Sequence, residues 1–393
     1  MTSDLATGKA RRRPRRWWLF RPIDLLARLW PVRRRRRGVL MVRIDGIGDM
    51  AMFQGAFGHY ASVLDVRPDE ITLLGCRSWA SLAPALFEGC RFFAIDEHAY
   101  ERKALYRLRV SLWVRRQGFE VAICDMFMRK PLVADALIYV SGAPRRIVTK
   151  PHINPRTAGT FSWYLQRCTR AIDTGRYPTH EIVRHFRFLS ALAGREIRPT
   201  MPNLPWPSRP PPLSERYAVL NPGGNATDKR WPTARFFALA EALAERGLRV
   251  IFVGGPSEAD LATELAQATR TSRWGAAFDD RIGRTSLPDL LDLLRHAAIV
   301  VSNDTGPAHL AAGVGAPTVV IVGGGHFGSF VPYPQELTPP RTRFVWHELP
   351  CYHCFWACTQ PHERGESFPC MAAVTLEVVR SAADELLGLA QPA

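Results

Sequence analysis

Val301-Ser302-Asn303-Asp304-Thr305-Gly306-Pro307-Ala308-His309-Leu310-Ala311-Ala312 decides how this chain folds. The apolar residues 298–301 predict a buried parallel strand, and the small residues after Gly306 predict a helix. Asp304-Thr305-Gly306 then forms a tight strand-to-helix turn. Such a turn aims backbone N–H groups and the positive end of a helix at one spot, which suits a diphosphate. That spot lies at the carboxyl end of a strand, where open α/β sheets bind ligands. Asp304 and His309 add two polar groups on the same rim. An ordinary turn ahead of a core helix has the same local pattern.

Outward from this stretch the same alternation recurs. In the second half, strands are predicted at 217–221, 249–253, 298–302 and 317–322, and helices at 233–246, 257–268, 286–296 and 375–389. The first half opens with a β-rich run at 38–44 and a helix at 50–64. It continues with strands at 71–74, 92–95, 121–124 and 146–148, helices at 79–87 and 104–116, and a mostly helical stretch over 160–192. Strands alternating with helices imply βαβ units and parallel sheets. Seven prolines between Pro199 and Pro212 can be neither a helix nor a central strand, and predict a stiff linker. The expected domains are therefore 38–198, a linker at 199–213, and 214–393. Two doubly wound α/β domains facing a cleft account for the pattern.

The net charge of +16 is unevenly placed. Residues 1–37 hold thirteen Lys or Arg against Asp4 and Asp24, so this segment carries +11 and the rest of the chain +5. Within it, residues 17–30 carry Trp17, Trp18, Leu19, Phe20, Ile23, Leu25, Leu26, Leu29 and Trp30, broken by Arg21, Asp24 and Arg28. Aromatic and aliphatic residues bracketed by arginine suit an anionic membrane surface, reached through residues 11–37. The breaks interrupt the apolar core that a signal peptide needs. No apolar run approaches the roughly 20 residues that span a bilayer. A basic tail can also bind nucleic acid or merely solubilise.

Four motifs carry chemistry. Asp49 follows the first strand in Arg43-Ile44-Asp45-Gly46-Ile47-Gly48-Asp49, where it is either a helix cap or a general base in the cleft. Lys229 ends a glycine-rich loop, Asn221-Pro222-Gly223-Gly224, where it meets either a phosphate or solvent. Glu258 follows Val253-Gly254-Gly255 and either accepts from a ribose or complements the helix dipole. Cys351-x2-Cys354-x3-Cys358-x11-Cys370 has the close spacing of a tetrahedral thiolate site. Zinc is the default metal and iron suits the same ligands, with four free thiols as the alternative. With no export signal, a reducing compartment is expected, where clustered cysteines favour metal over disulfides. Four protein ligands leave no open position, so such a site clamps a loop rather than catalyses.

Taken in order, these segments resemble glycosyltransferase family 9, the lipopolysaccharide heptosyltransferases. The resemblance rests on Val42-Arg43-x4-Gly48-Asp49, Asn221-Pro222-Gly223 with Lys229-x-Trp231-Pro232, Ile282-Gly283-Arg284-Thr285-Ser286-Leu287, Asp304-Thr305-Gly306-x2-His309-Leu310-Ala311 and Cys370-Met371. It implies a GT-B architecture of two Rossmann-like domains, with the acceptor on the first and the nucleotide sugar on the second. It implies inverting transfer of a heptose-like sugar from an ADP-sugar to a lipid-linked or cell-surface glycan such as lipopolysaccharide core. No cofactor takes part in the chemical step. Asp49 would be the base, Lys229 with Thr305 and Gly306 would hold the diphosphate, and Asp304, His309 and Glu258 would complete the donor site. The expected location is the cytoplasm, peripherally on the inner face of the membrane. The rival reading is a nucleic-acid-binding protein using the arginine tail and a zinc module. It is disfavoured by the absence of basic patches near the α/β motifs.

Overall fold

The computed structural model describes residues 15–32 and 35–388. Two six-stranded sheets form, and every strand pair in them is parallel. The first contains β1 (Val39–Arg43), β2 (Ile71–Cys76), β3 (Arg91–Ile95), β4 (Val121–Cys124), β5 (Arg145–Thr149) and β6 (Arg170–Ile172), ordered β3-β2-β1-β4-β5-β6. The second contains β7 (Tyr217–Asn221), β8 (Arg249–Phe252), β9 (Phe278–Asp280), β10 (Ile299–Asn303), β11 (Thr318–Ile321) and β12 (Thr342–Val345), ordered β12-β11-β10-β7-β8-β9. Both orders are the doubly wound arrangement, in which the chain reverses direction across the sheet beside its first strand. Those two switch points, β1/β4 and β7/β10, face the cleft.

The central strands are buried along their whole length: β1, β4, β7, β10 and β11 have no exposed position. Helices cover both faces of such sheets, so their strands read as unbroken apolar runs. The Leu287–His296 helix shows the complementary pattern. Leu290, Leu291, Leu293 and Leu294 are buried, and Ser286 caps the start by accepting from the Asp289 amide at 3.3 Å.

Several boundaries differ from the sequence expectation. The helix expected at 50–64 ends at Phe57 and resumes at Tyr60–Leu64. The break lets the Tyr60 hydroxyl turn inward to Asp125, at 2.9 Å. The stretch 160–192 is interrupted by β6, between helices Ala158–Leu165 and Glu181–Ala193. The linker residues have no regular structure but lie against the second domain. The Leu204 amide donates to Gly313 at 2.7 Å, and the Trp206 indole donates to Asp292 at 2.7 Å.

The basic segment differs most. Its described part is a helix, Arg15–Leu29, packed on the first domain through Trp17, Phe20, Asp24 and Ala27. Asp24, one of the polar breaks, lies on the buried face and is held by both arms of the Arg107 guanidinium at 2.7 Å. Burial raises its carboxyl despite that partner. The opposite face leaves Trp18, Leu19, Leu26 and Leu29 exposed. Residues 1–14 and 33–34 of the expected tail lie outside the described residues. Among the described residues no helix is long and apolar enough to cross a membrane.

Candidate active site

A cleft of about 820 Å³ opens between the sheets, and its lining includes Asp49, Lys229, Glu258, Asp304, Thr305, Gly306 and His309. That volume falls in the usual range for small-ligand sites. Two helices bring the pieces together, Ile47–Phe57 after β1 and Gly306–Gly313 after β10. They meet at their N-terminal ends, and glycine permits the approach. A Cβ at Gly48 would lie 2.6 Å from Cδ2 of His309, and one at Gly306 would lie 3.0 Å from Cβ of Ile47. The first N–H groups of a helix have no intrahelical partner, so the Thr305–Gly306 end presents its amides and its positive dipole to the cleft.

Asp49 sits in the first turn of its helix. Its Oδ2 accepts from the Gly46 amide at 3.3 Å, so the capping role exists alongside any other. Burial raises its pKa, opposed by the charges of Arg43 and His309. Beneath it lies a network the sequence reading left without a role. Arg43, buried at the end of β1, is paired with Asp45 and donates to Asp125 at 2.8 Å. Asp125, just past β4, also accepts from the Tyr60 hydroxyl and His185 Nδ1, each at 2.9 Å. Burial alone would raise the Asp125 carboxyl, but Arg43 and His185 hold it well below the usual carboxylate range. The ionised carboxylate only accepts, so His185 carries its proton on Nδ1 in this bond. The available signal was position: both Arg43 and Asp125 lie at strand ends beside a switch point.

On the opposite wall, β10 and β7 hold the turn through two amides. Asn303 donates to the Pro222 and Gly223 carbonyls at 2.8 and 3.0 Å and accepts from the Trp231 amide at 3.0 Å. Asn221 donates to Ser302 Oγ at 2.9 Å and Thr305 Oγ1 at 2.7 Å. His309 Nε2 lies 3.5 Å from Asp304 Oδ1, and its Nδ1 lies 2.7 Å from the Tyr333 hydroxyl. Burial raises the Tyr333 hydroxyl well above its ordinary value, so it stays protonated beside His309. Glu258 is buried and accepts from the Gly224 amide at 2.5 Å and the Gly255 amide at 2.6 Å, stitching two glycine loops together. Lys229 ends a short 3-10 turn, with its Nζ 5.0 Å from the centroid of the Trp356 ring.

Cys351, Cys354, Cys358 and Cys370 are free thiols around one small cavity, shared with Tyr352, Trp356 and Phe368. Among the described residues no group of three or more His, Cys, Asp or Glu is arranged to hold a metal ion. The expected four-sulfur ligand set is thus gathered around a cavity without being drawn to a single point.

Two parallel doubly wound domains with their switch points across one cleft define a GT-B glycosyltransferase architecture. Residues 177–361 match the model of glycosyltransferase family 9 (heptosyltransferase), and the chain is similar to enzymes of that family. Lipopolysaccharide heptosyltransferase 3 of Escherichia coli is 34% identical over 113 residues, covering 28% of this chain and 32% of that relative. The chain thus aligns with about a third of the length of such curated relatives. The fold likeness extends further. The solved E. coli heptosyltransferase WaaC with ADP-2-deoxy-2-fluoro heptose superposes with a TM-score of 0.62 at 17% identity, covering 88% of this chain and 99% of that one. The iron-containing dodecameric glycosyltransferase TibC from enterotoxigenic E. coli gives 0.51 at 16% identity, covering 90% and 76%. These matches do not favour the nucleic-acid reading.

Proposed function

We propose that this chain transfers a heptose-like sugar from an ADP-sugar to a hydroxyl of a lipid-linked or cell-surface glycan such as lipopolysaccharide core, with inversion at the anomeric carbon. The observation that carries the reading is the contact between the Ile47–Phe57 and Gly306–Gly313 helices, by which Asp49 and the Thr305–Gly306 turn line the same cleft. The acceptor oxygen attacks the anomeric carbon from the Asp49 side, and its proton passes to the Asp49 carboxylate. The bond from that carbon to the diphosphate oxygen breaks, and the electron pair leaves on ADP. Lys229 and the amides of Thr305 and Gly306 meet that growing negative charge. Asp304 and His309 complete the donor rim, and Glu258 offers its remaining lone pairs to the ribose. The ADP-sugar donor draws support from the WaaC structure, whose ligand is of that class. Nothing in the step requires a cofactor.

The four thiols are proposed as ligands of zinc or iron. Thiolates are the ligands both metals take, and the four sulfurs already share one cavity. An iron-containing neighbour of the same fold supports iron. The bound ion would clamp the 351–370 loop. Metal analysis of purified protein should return about one equivalent, and a metal-free sample with an unchanged melting temperature contradicts the site. The chain is also proposed to work peripherally at the cytoplasmic face of an anionic membrane. The exposed apolar face of the Arg15–Leu29 helix, flanked by arginines, supports this.

The function is tested by incubating the protein with ADP-heptose and a heptose-free lipopolysaccharide core lipid, and following ADP release and the mass of the lipid. One added heptose per lipid is expected. ADP-heptose left intact, with other ADP-sugars also unused, overturns the reading.

A further inference from the structure

We propose that Trp356 is a donor-binding residue: its ring is the wall that holds the Lys229 ammonium toward a nucleoside diphosphate, and the cysteine loop behind it is the mount for that ring. This rests on the proposed nucleotide-sugar function of the cleft.

Trp356 is placed in two cavities at once. Its side chain lines the interdomain cleft with Lys229, Asp304 and Thr305, and it also lines the cavity of Cys351, Cys354, Cys358 and Cys370. On the cleft side the Lys229 ammonium stands 5.0 Å from the ring centroid. An ammonium over an indole face is attracted by the ring quadrupole, more strongly as water is removed. That contact limits the directions a four-carbon side chain can sample, so less ordering remains when a phosphate arrives.

The ring's seat is built rather than incidental. It lies on bare backbone just past β11, where a Cβ at Gly323 or Gly325 would come within 2.7 or 2.2 Å of its atoms. Phe368 stacks beyond it, with ring centroids 6.1 Å apart. The loop that delivers it turns sharply: His353, Phe355 and Trp356 all have positive φ, a region few side chains occupy. Such conformations persist only where surrounding structure over-determines them, and they cluster at ligand sites. Backbone bonds supply that restraint. The His353 and Phe355 amides donate to the Gly324 and Gly325 carbonyls at 2.7 and 2.9 Å. The Phe368 amide donates to the carbonyl of Asp228, beside Lys229, at 2.7 Å. The same loop reaches the first domain, where the Phe355 ring stacks on His152 at 4.9 Å and tilts against Tyr177 at 4.5 Å. A loop tied to both domains and to the Lys229 turn fixes one aromatic face inside the cleft.

ADP is the probe, and calorimetry on the full chain gives its affinity. Trp356→Ala should weaken binding about tenfold, within the span of a partly desolvated cation–π contact. Trp356→Phe should stay within about threefold, because a ring face remains. Lys229→Ala should also weaken ADP, and adding Trp356→Ala to it should cost little more, because both act through one contact. In a 5-fluorotryptophan sample, the 19F resonance missing from Trp356→Phe should shift on adding ADP. That measurement needs no destabilising variant. Losses that add fully in the double variant, or an unshifted Trp356 resonance under saturating ADP, overturn the inference and leave the function standing. No ADP binding by the unaltered chain overturns both.

Discussion

Asp49→Asn should slow sugar transfer at least about a hundredfold, leave ADP affinity nearly unchanged and raise the melting temperature. The rate follows from removing the carboxylate proposed to take the acceptor proton, and a general base is typically worth about 10²–10⁴-fold. ADP affinity should hold because the groups proposed to meet the diphosphate belong to the other domain. The stability gain follows from burial. The folded carboxyl titrates above its unfolded value, so the native state keeps its proton over a pH range in which the unfolded chain loses it. Stability therefore falls as pH rises through that window, and asparagine removes the penalty. The same shift places the acid limb of kcat/KM above the ordinary carboxylate range of about 4. Activity in the variant equal to that of the parent takes Asp49 out of the mechanism. A lowered melting temperature contradicts the account of its burial.

Asp24→Ala should destabilise the chain by about 3–5 kcal/mol, the usual cost of leaving a buried charge without its partner. Arg107 is fully buried, and both carboxylate oxygens of Asp24 are engaged by its guanidinium. Its further bond to the Leu132 carbonyl, at 2.8 Å, cannot neutralise the charge. The double variant Asp24→Ala, Arg107→Met should recover much of the loss, because removing both members of a buried pair is often near neutral. Urea unfolding of the three proteins measures this. An unchanged midpoint in Asp24→Ala would mean that the Arg15–Leu29 helix does not dock as described.

The second domain was the more legible half. β7 matched its expected residues 217–221, and β10 its expected 298–302 shifted by one, because buried parallel strands carry mainly apolar residues and end in glycine or asparagine turns. β6, β9 and β12 were missed for the converse reason. They are edge strands, and Arg170, Asp279, Asp280 and Arg343 break the apolar runs that betray the central ones. In the basic segment the apolar residues were read as facing a membrane. Six of the nine are exposed while Trp17 and Phe20 pack on protein, and Asp24 was taken as a break in the apolar face when it is the anchor. A buried ion pair leaves no local trace, since its partner stands 83 residues away.

The cleft itself was legible residue by residue because each motif sits where a strand gives way to a helix. Asp49, Lys229, Glu258, Asp304 and His309 all line it. What the sequence could not supply is what lies behind them. Asp125, Tyr60 and His185 come from three separate elements and meet only in space. Trp356 belongs to a loop whose cysteines drew attention, whereas its role depends on Gly323 and Gly325 having no side chains.

The convergence of both domains on one nucleotide site is the central claim, and a crystal structure of the full chain with ADP tests it most directly. The diphosphate should lie at the N-terminal end of the Gly306–Gly313 helix, within hydrogen-bond reach of the Thr305 and Gly306 amides and of Lys229, with the β-phosphate directed toward Asp49. Density for ADP on any other surface, or a cleft left empty at saturating ADP, would contradict it.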